Sequence, residues 1–176
     1  YDVAGDPDQA YHARWQAWAA FLSGCAGYGY GAQGMWQFYD PLDPRGETGM
    51  KDKRSVPWRE AMRFEGSAMM RPVCELLTAY PWWRLEPRRP RVLVDGQPAR
   101  YPTSTDLAPP HWAAIPGQLV IVYIPRGNGR RSLSLEALDG GPYRARWYDP
   151  RTGRTAPAAA PPSGRAEWVL PDRPRP

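Results

Sequence analysis

The sequence predicts two unlike units, a largely helical α/β piece followed by an all-β antiparallel sandwich. Three observations predict this. Apolar residues recur at helical spacing from Tyr11 to Leu22 and again from Met69 to Tyr80. From Arg91 onward the period changes to two, in short runs parted by glycine-containing turns. Between them, Arg84-Leu-Glu-Pro-Arg-Arg-Pro90 is a stiff, polar connection that sets units of residues 1–84 and 91–176.

Asp6 and Pro7 have the chemistry of a helix cap and first helical residue, and Tyr11, Trp15, Trp18 and Leu22 then mark an aromatic buried face. Ser23-Gly24 stops the run. The glycines of Cys25-Ala-Gly-Tyr-Gly-Tyr-Gly31 forbid a stable helix but allow a short strand where backbone approaches a neighbour closely. Met35 to Tyr39 reads as a helical turn or structured loop, and residues 40–56, polar and rich in Pro and Gly, as a long loop of the kind kept for function. A helix starts at Pro57, with Ser55 as its cap, and Gly66 is expected to break it. A new helix from Ser67 presents Met69, Met70, Val73, Leu76, Leu77 and Tyr80 and ends at Pro81.

In the second unit, runs at Val92–Val94, His111–Ile115, Leu119–Ile124, Ser132–Leu135, Tyr143–Tyr148 and Glu167–Leu170 read as strands. Their inward positions are expected to be Leu119, Ile121, Tyr123, Leu133, Leu135, Trp147 and Trp168, with Trp112 also in the core. Val120, Val122 and Ile124 are apolar too, so this strand should be covered on both faces, the helical unit supplying one cover.

Composition excludes several classes. The 176 residues are 42% apolar and 12% aromatic, which argues against disorder despite 22 Pro and 17 Gly. The longest apolar runs fall far short of the roughly 20 residues of a membrane helix, so a soluble protein without a membrane partner is expected. The charge is +5, yet residues 1–50 hold two basic and six acidic groups, 51–90 nine and five, and 91–176 twelve and seven. With no continuous basic arm, no nucleic-acid partner is expected. Cys25 and Cys74 form no metal-binding pair with the isolated His12 and His111, so neither metal nor cofactor is expected, and both thiols are read as free and buried. The start at Tyr1 without a Met reads as a cut end.

Trp15 to Trp18, Gly24-Cys-Ala-Gly-Tyr-Gly-Tyr-Gly31, Met35-Trp-Gln-Phe-Tyr-Asp-Pro41, Pro57-Trp-Arg-Glu-Ala61 and Pro81-Trp-Trp-Arg-Leu85 resemble the end of the apiosidase-like glycoside hydrolases. Val122-Tyr-Ile-Pro-Arg-Gly127 and Trp147-Tyr-Asp-Pro-Arg-Thr-Gly153 resemble the collagen-binding-type β-domain that follows their catalytic barrel. The resemblance implies that residues 1–84 are the end of a (β/α)8 TIM barrel, whose site lies at the C-terminal ends of its strands. It also implies an extracellular or periplasmic location and an oligo- or polysaccharide substrate. Tyr28 stands where the family commonly has His, and Gln33 where it commonly has Asn.

Sugars offer apolar faces to Trp and Tyr and hydroxyls to amides and phenols, so Tyr28, Tyr30, Trp36 and Gln37 are the candidate substrate contacts, with Asp40 a further acceptor. Packing in a core is the competing reading for the same aromatics, and a turn or cap role for Asp40. Glycoside hydrolysis needs two carboxyl groups. The resemblance implies strands earlier than this segment for both, so no catalytic residue is assigned here and Asp2 is read as a loop residue. Three roles stand open for residues 91–176: part of the enzyme, a non-catalytic carbohydrate- or matrix-binding module, or a packing partner of the barrel. Exposed aromatics on one sheet face would favour binding, and burial against the helices would favour packing.

Overall fold

The structure, a computed structural model, describes residues 8–36, 38–43, 56–87, 92–94, 97–99, 109–125, 131–134, 143–159 and 167–170. Helix α1 spans Gln9–Leu22 and buries Tyr11, Ala13, Arg14, Ala17, Trp18 and Leu22. Trp15 of the expected face is half-buried, and the buried guanidinium of Arg14 is the feature the spacing did not announce. The Asp6-Pro7 cap lies outside the described residues; Asp8 precedes the helix, its carbonyl accepting the His12 N–H at 2.9 Å. The stop is where Ser23-Gly24 placed it. Gly24 takes φ +88, and the Gly24 and Cys25 N–H groups return to the carbonyls of Phe21 and Ala20 at 3.2 and 3.0 Å, a Schellman closure.

Two short helices, α2 (Trp58–Ala61) and α3 (Glu65–Ala68), lead into α4 (Met70–Thr78). The break falls at Met62–Phe64 and not at Gly66, which is buried inside α3. α1 packs against both α3 and α4. Cys25 and Cys74 are free thiols but exposed, a correction to the expected burial: Cys74 sits one residue past Val73, off the buried stripe of α4.

After the 3-10 turn Trp82–Arg84, strand β1 (Glu86–Pro87) lies on the edge of β4 (His111–Ile115), which pairs in turn with β5 (Leu119–Tyr123), all antiparallel. The polar connection thus supplies a strand. A second antiparallel sheet has the order β3-β2-β6-β9, from β2 (Val92–Val94), β3 (Gln97–Pro98), β6 (Arg131–Ser134) and β9 (Glu167–Val169). A separate ribbon pairs β7 (Arg146–Tyr148) with β8 (Thr155–Pro157). The β4–β5 turn uses Pro116-Gly117, with Gly117 at φ +69 and the Gln118 N–H on the Ile115 carbonyl at 3.0 Å.

Register decides which face does what. Ala113 pairs with Ile121, His111 with Tyr123 and Ile115 with Leu119, so these residues share one face. Ala113, Ile121 and Tyr123 join Ala17, Trp18, Leu22, Val73 and Leu77 in one buried cluster, with Leu119 packed against it. The other face carries Trp112, which with Val92 forms a second cluster, flanked by Val122, Trp168 and Leu170. β4 and β5 therefore form a middle layer between the helices and the second sheet, as the apolar residues on both faces of β5 predicted. Leu119, Ile121 and Tyr123, expected to point into the sheet-to-sheet core, face the helices instead. Trp147 is half-buried, and the Leu133 and Leu135 side chains lie outside the described residues.

The ribbon is fastened to the helices. Tyr148 Oη donates to the Pro72 carbonyl at 2.6 Å, and its ring meets Trp18 edge-on at 6.0 Å. Asp149 makes the turn between β7 and β8: its carboxylate accepts the Arg151 N–H and guanidinium at 2.9–3.0 Å, while its carbonyl accepts the Gly153 N–H at 2.8 Å. Gly153, at φ +73, lies where a Cβ would come within 3.4 Å of the Tyr148 hydroxyl. Tyr148→Phe is expected to cost about 1 kcal/mol of stability, by leaving the Pro72 carbonyl short of a donor. Denaturant unfolding at pH 7 measures it, and an unchanged midpoint would show that water replaces the phenol.

Candidate functional site

The glycine-rich segment 25–31 is irregular, with only a single bridge residue, Ala32, at its end. It forms no strand. Without a strand's alternation, Tyr28 and Tyr30 need not share a face. Tyr28 turns back to α1, donating its hydroxyl to Gln16 Oε1 at 3.1 Å and packing against the buried cluster of Trp18. Tyr30 lines a cavity of about 350 Å³ together with Trp36, Met35, Met62 and Ser67.

The turn that brings Trp36 there depends on Gly34. Its φ is +93, a region side chains rarely adopt, and a Cβ would collide with the Val56 carbonyl. The Tyr39 N–H then bonds the Gly34 carbonyl at 3.0 Å, and the Tyr39 carbonyl accepts the Trp58 N–H at 2.8 Å, tying the turn to the start of α2. Trp36 keeps 48% of its surface accessible, against 2% for Trp18. Gln37 lies outside the described residues.

Asp40 does not line the cavity. Its carboxylate accepts the Leu42 N–H at 3.0 Å and Arg59 Nη1 at 2.7 Å, and the Arg59 guanidinium lies over the Trp58 ring at 4.3 Å. The Leu42 amide first, and then Arg59, hold the Asp40 carboxyl below its ordinary range. Asp40 is thus an ionised clasp between the turn and α2. Arg59, Met62 and Ser67 escaped sequence reasoning, since helical spacing alone gave no reason to bring them beside residues 30–40.

The cavity offers an indole, a phenol, a hydroxyl and two thioethers, and no carboxylate among the described residues lines it. This chemistry can stack on and hydrogen-bond a neutral polar ring. Among the described residues, no group of three His, Cys, Asp or Glu could hold a metal ion. No described helix is long and apolar enough to cross a membrane.

Residues 5–84 match the family described as "Apiosidase-like, catalytic domain". Residues 108–173 match the family described as "Putative collagen-binding domain of a collagenase". The two matches follow one another in the order the motifs gave. No curated protein matches the chain.

Proposed function

We propose that the chain is the C-terminal part of a glycoside hydrolase acting on side chains of plant or microbial polysaccharide. Residues 1–84 are then the end of a (β/α)8 barrel and residues 91–176 a β-sandwich. The acid and its partner carboxylate stand on barrel strands earlier than this segment, which contributes substrate contacts from Tyr30, Trp36 and Gln37. The observation that carries the reading is the half-exposed Trp36 beside Tyr30 in a cavity of about 350 Å³, a size suited to a sugar ring. The match of residues 5–84 to an apiosidase-like catalytic domain supports the substrate class. A polymeric substrate does not cross a membrane unaided, so the site of action is extracellular or periplasmic.

In this reading the β unit acts as a packing partner of the barrel end. Ile121 and Tyr123 buried among Trp18, Leu22 and Val73 support that role over an independent adhesion module.

Trp36→Ala separates a substrate platform from core packing. Titrating the chain with plant-wall oligosaccharides, followed by calorimetry, should show affinity at least about tenfold weaker in the variant. The stability loss should be about 1 kcal/mol or less, as befits a half-exposed ring. The same incubation should release no sugar from either protein. A loss of about 3–5 kcal/mol with saccharide affinity unaltered would make Trp36 a core residue. Turnover abolished by Asp40→Asn would place a catalytic carboxylate in this chain.

A further inference from the structure

Away from the Trp36 cavity, the β7–β8 ribbon carries a second groove, of about 430 Å³, lined by Arg144, Arg146, Thr155, Pro157 and neighbouring alanines. Exposure alternates along it: Arg144 and Arg146 are exposed, Ala145 and Trp147 half-buried, and across the ladder Thr155 and Pro157 are exposed while Ala156 is half-buried. Arg146 pairs with Pro157, and the Ala158 N–H on the Ala145 carbonyl at 3.2 Å extends the ladder past β7. Two guanidiniums thus stand two residues apart, about 7 Å along the backbone, beside a proline ring and a hydroxyl.

Neither arginine has an acidic partner among the described residues. The ribbon's one carboxylate, Asp149, is engaged by Arg151, whose guanidinium holds it below its ordinary range. Nothing within residues 143–159 therefore neutralises Arg144 and Arg146, and the unit of residues 91–176 has five more basic than acidic groups. Unpaired arginines cost little while hydrated, and their planar donor fork fits a carboxylate bidentately.

We propose that this groove binds a carboxylate-bearing polysaccharide. Arg144 and Arg146 take acid groups of one glycan chain, Pro157 meets an apolar sugar face and Thr155 a hydroxyl. A nucleic acid fits less well: Tyr148, which register places on the side of Arg146 and Thr155, is turned onto Trp18 and the Pro72 carbonyl and offers no ring to a base, and the described residues form no continuous basic track for a phosphate backbone. The proposal goes beyond the Trp36 reading and stands whether or not that cavity takes substrate.

Affinity electrophoresis of the whole chain through gels containing alginate, a polyuronate, tests it, with neutral dextran and single-stranded DNA as the other two gels. Retardation is expected in alginate and not in dextran, weakening as salt rises. It should fall at least about tenfold in Arg144→Gln/Arg146→Gln and persist in Arg63→Gln, an exposed arginine elsewhere on the surface. Both arginines of the groove are exposed, so the double variant should keep the wild-type melting temperature. Absence of retardation in alginate, or retardation unaltered in the double variant, would overturn the proposal. Retardation by DNA as strong as by alginate and lost in the same variant would overturn the glycan assignment in favour of a general polyanion site. Loss of saccharide binding in Trp36→Ala with alginate retardation intact is the result expected of two separate sites.

Discussion

Trp18→Ala is expected to lower stability by about 3–5 kcal/mol, the range for removing a large aromatic from a packed interior. For a chain of this size each kcal/mol moves the melting temperature by about 2–4 °C. Trp18 is 2% exposed and lies at the meeting of α1, α4, the middle sheet and the ribbon. Its ring stacks on Tyr123 at 5.8 Å with an interplanar angle of 8° and meets Tyr148 edge-on. The indole N–H has no hydrogen-bond partner among the described residues, so its contribution there is burial and ring contact. Because those rings come from both units, near-ultraviolet signals from helices and sheets should be lost together. Trp18→Phe should recover part of the loss. A cost below about 1 kcal/mol would mean that the units do not share this core.

The second large effect is an acid transition set by His111. The side chain is buried, lies edge-on to Trp15 at 5.3 Å, and its Nε2 has no hydrogen-bond partner among the described residues. Burial away from water pushes its pKa down from 6.5 to about 4. The unfolded chain therefore takes up a proton at this position that the folded chain refuses. Stability contributed by neutral His111 is complete above pH 6.5, declines as pH falls, and is gone below about pH 4. At about 1.4 kcal/mol for each tenfold difference in proton affinity, the effect is on the order of 3 kcal/mol. Asp40 and Asp149, whose carboxyls are held low, lose their contributions below the ordinary carboxylate pKa of 3.8, in a lower window. Denaturant midpoints between pH 7 and 4 should fall in the wild type and stay nearly level in His111→Phe. Parallel slopes in the two proteins would exclude His111 as the cause.

The sequence exposed those features that repeat along it. Tyr11, Trp18 and Leu22 marked the buried face of α1 because helical spacing survives in the residue order, and Ser23-Gly24 marked its end because only a residue tolerant of positive φ closes it cheaply. Double cover of β5 was legible because Val120 and Val122 are as apolar as Ile121. Which cover each face meets was not, since that depends on how α1 and α4 lie on the sheet. Gly66 read as a breaker, yet propensity is a weak preference that burial inside α3 overrides. Arg14 is apolar neither in spacing nor in chemistry; it is buried with one guanidinium N–H on the Met69 sulfur at 3.2 Å and its Nε without a partner among the described residues.

The candidate site was half legible. Tyr30 and Trp36 line one cavity because Gly34 reverses the chain; the close backbone approach expected of the glycines in 25–31 is not found at Gly27 or Gly29, where an added Cβ would meet nothing among the described residues within 4 Å. The parity of a strand would have kept Tyr28 with Tyr30; in irregular backbone it does not, and Tyr28 packs on α1. Asp40 found Arg59 across nineteen residues, a pairing no local pattern encodes.

Differential scanning calorimetry of the whole chain at pH 7 tests most directly that helical and β units are bound through one core. One transition is predicted, with calorimetric and van't Hoff enthalpies equal, shifted as a whole by Trp18→Ala. Two separable transitions, only one of them moved by Trp18→Ala, would contradict it.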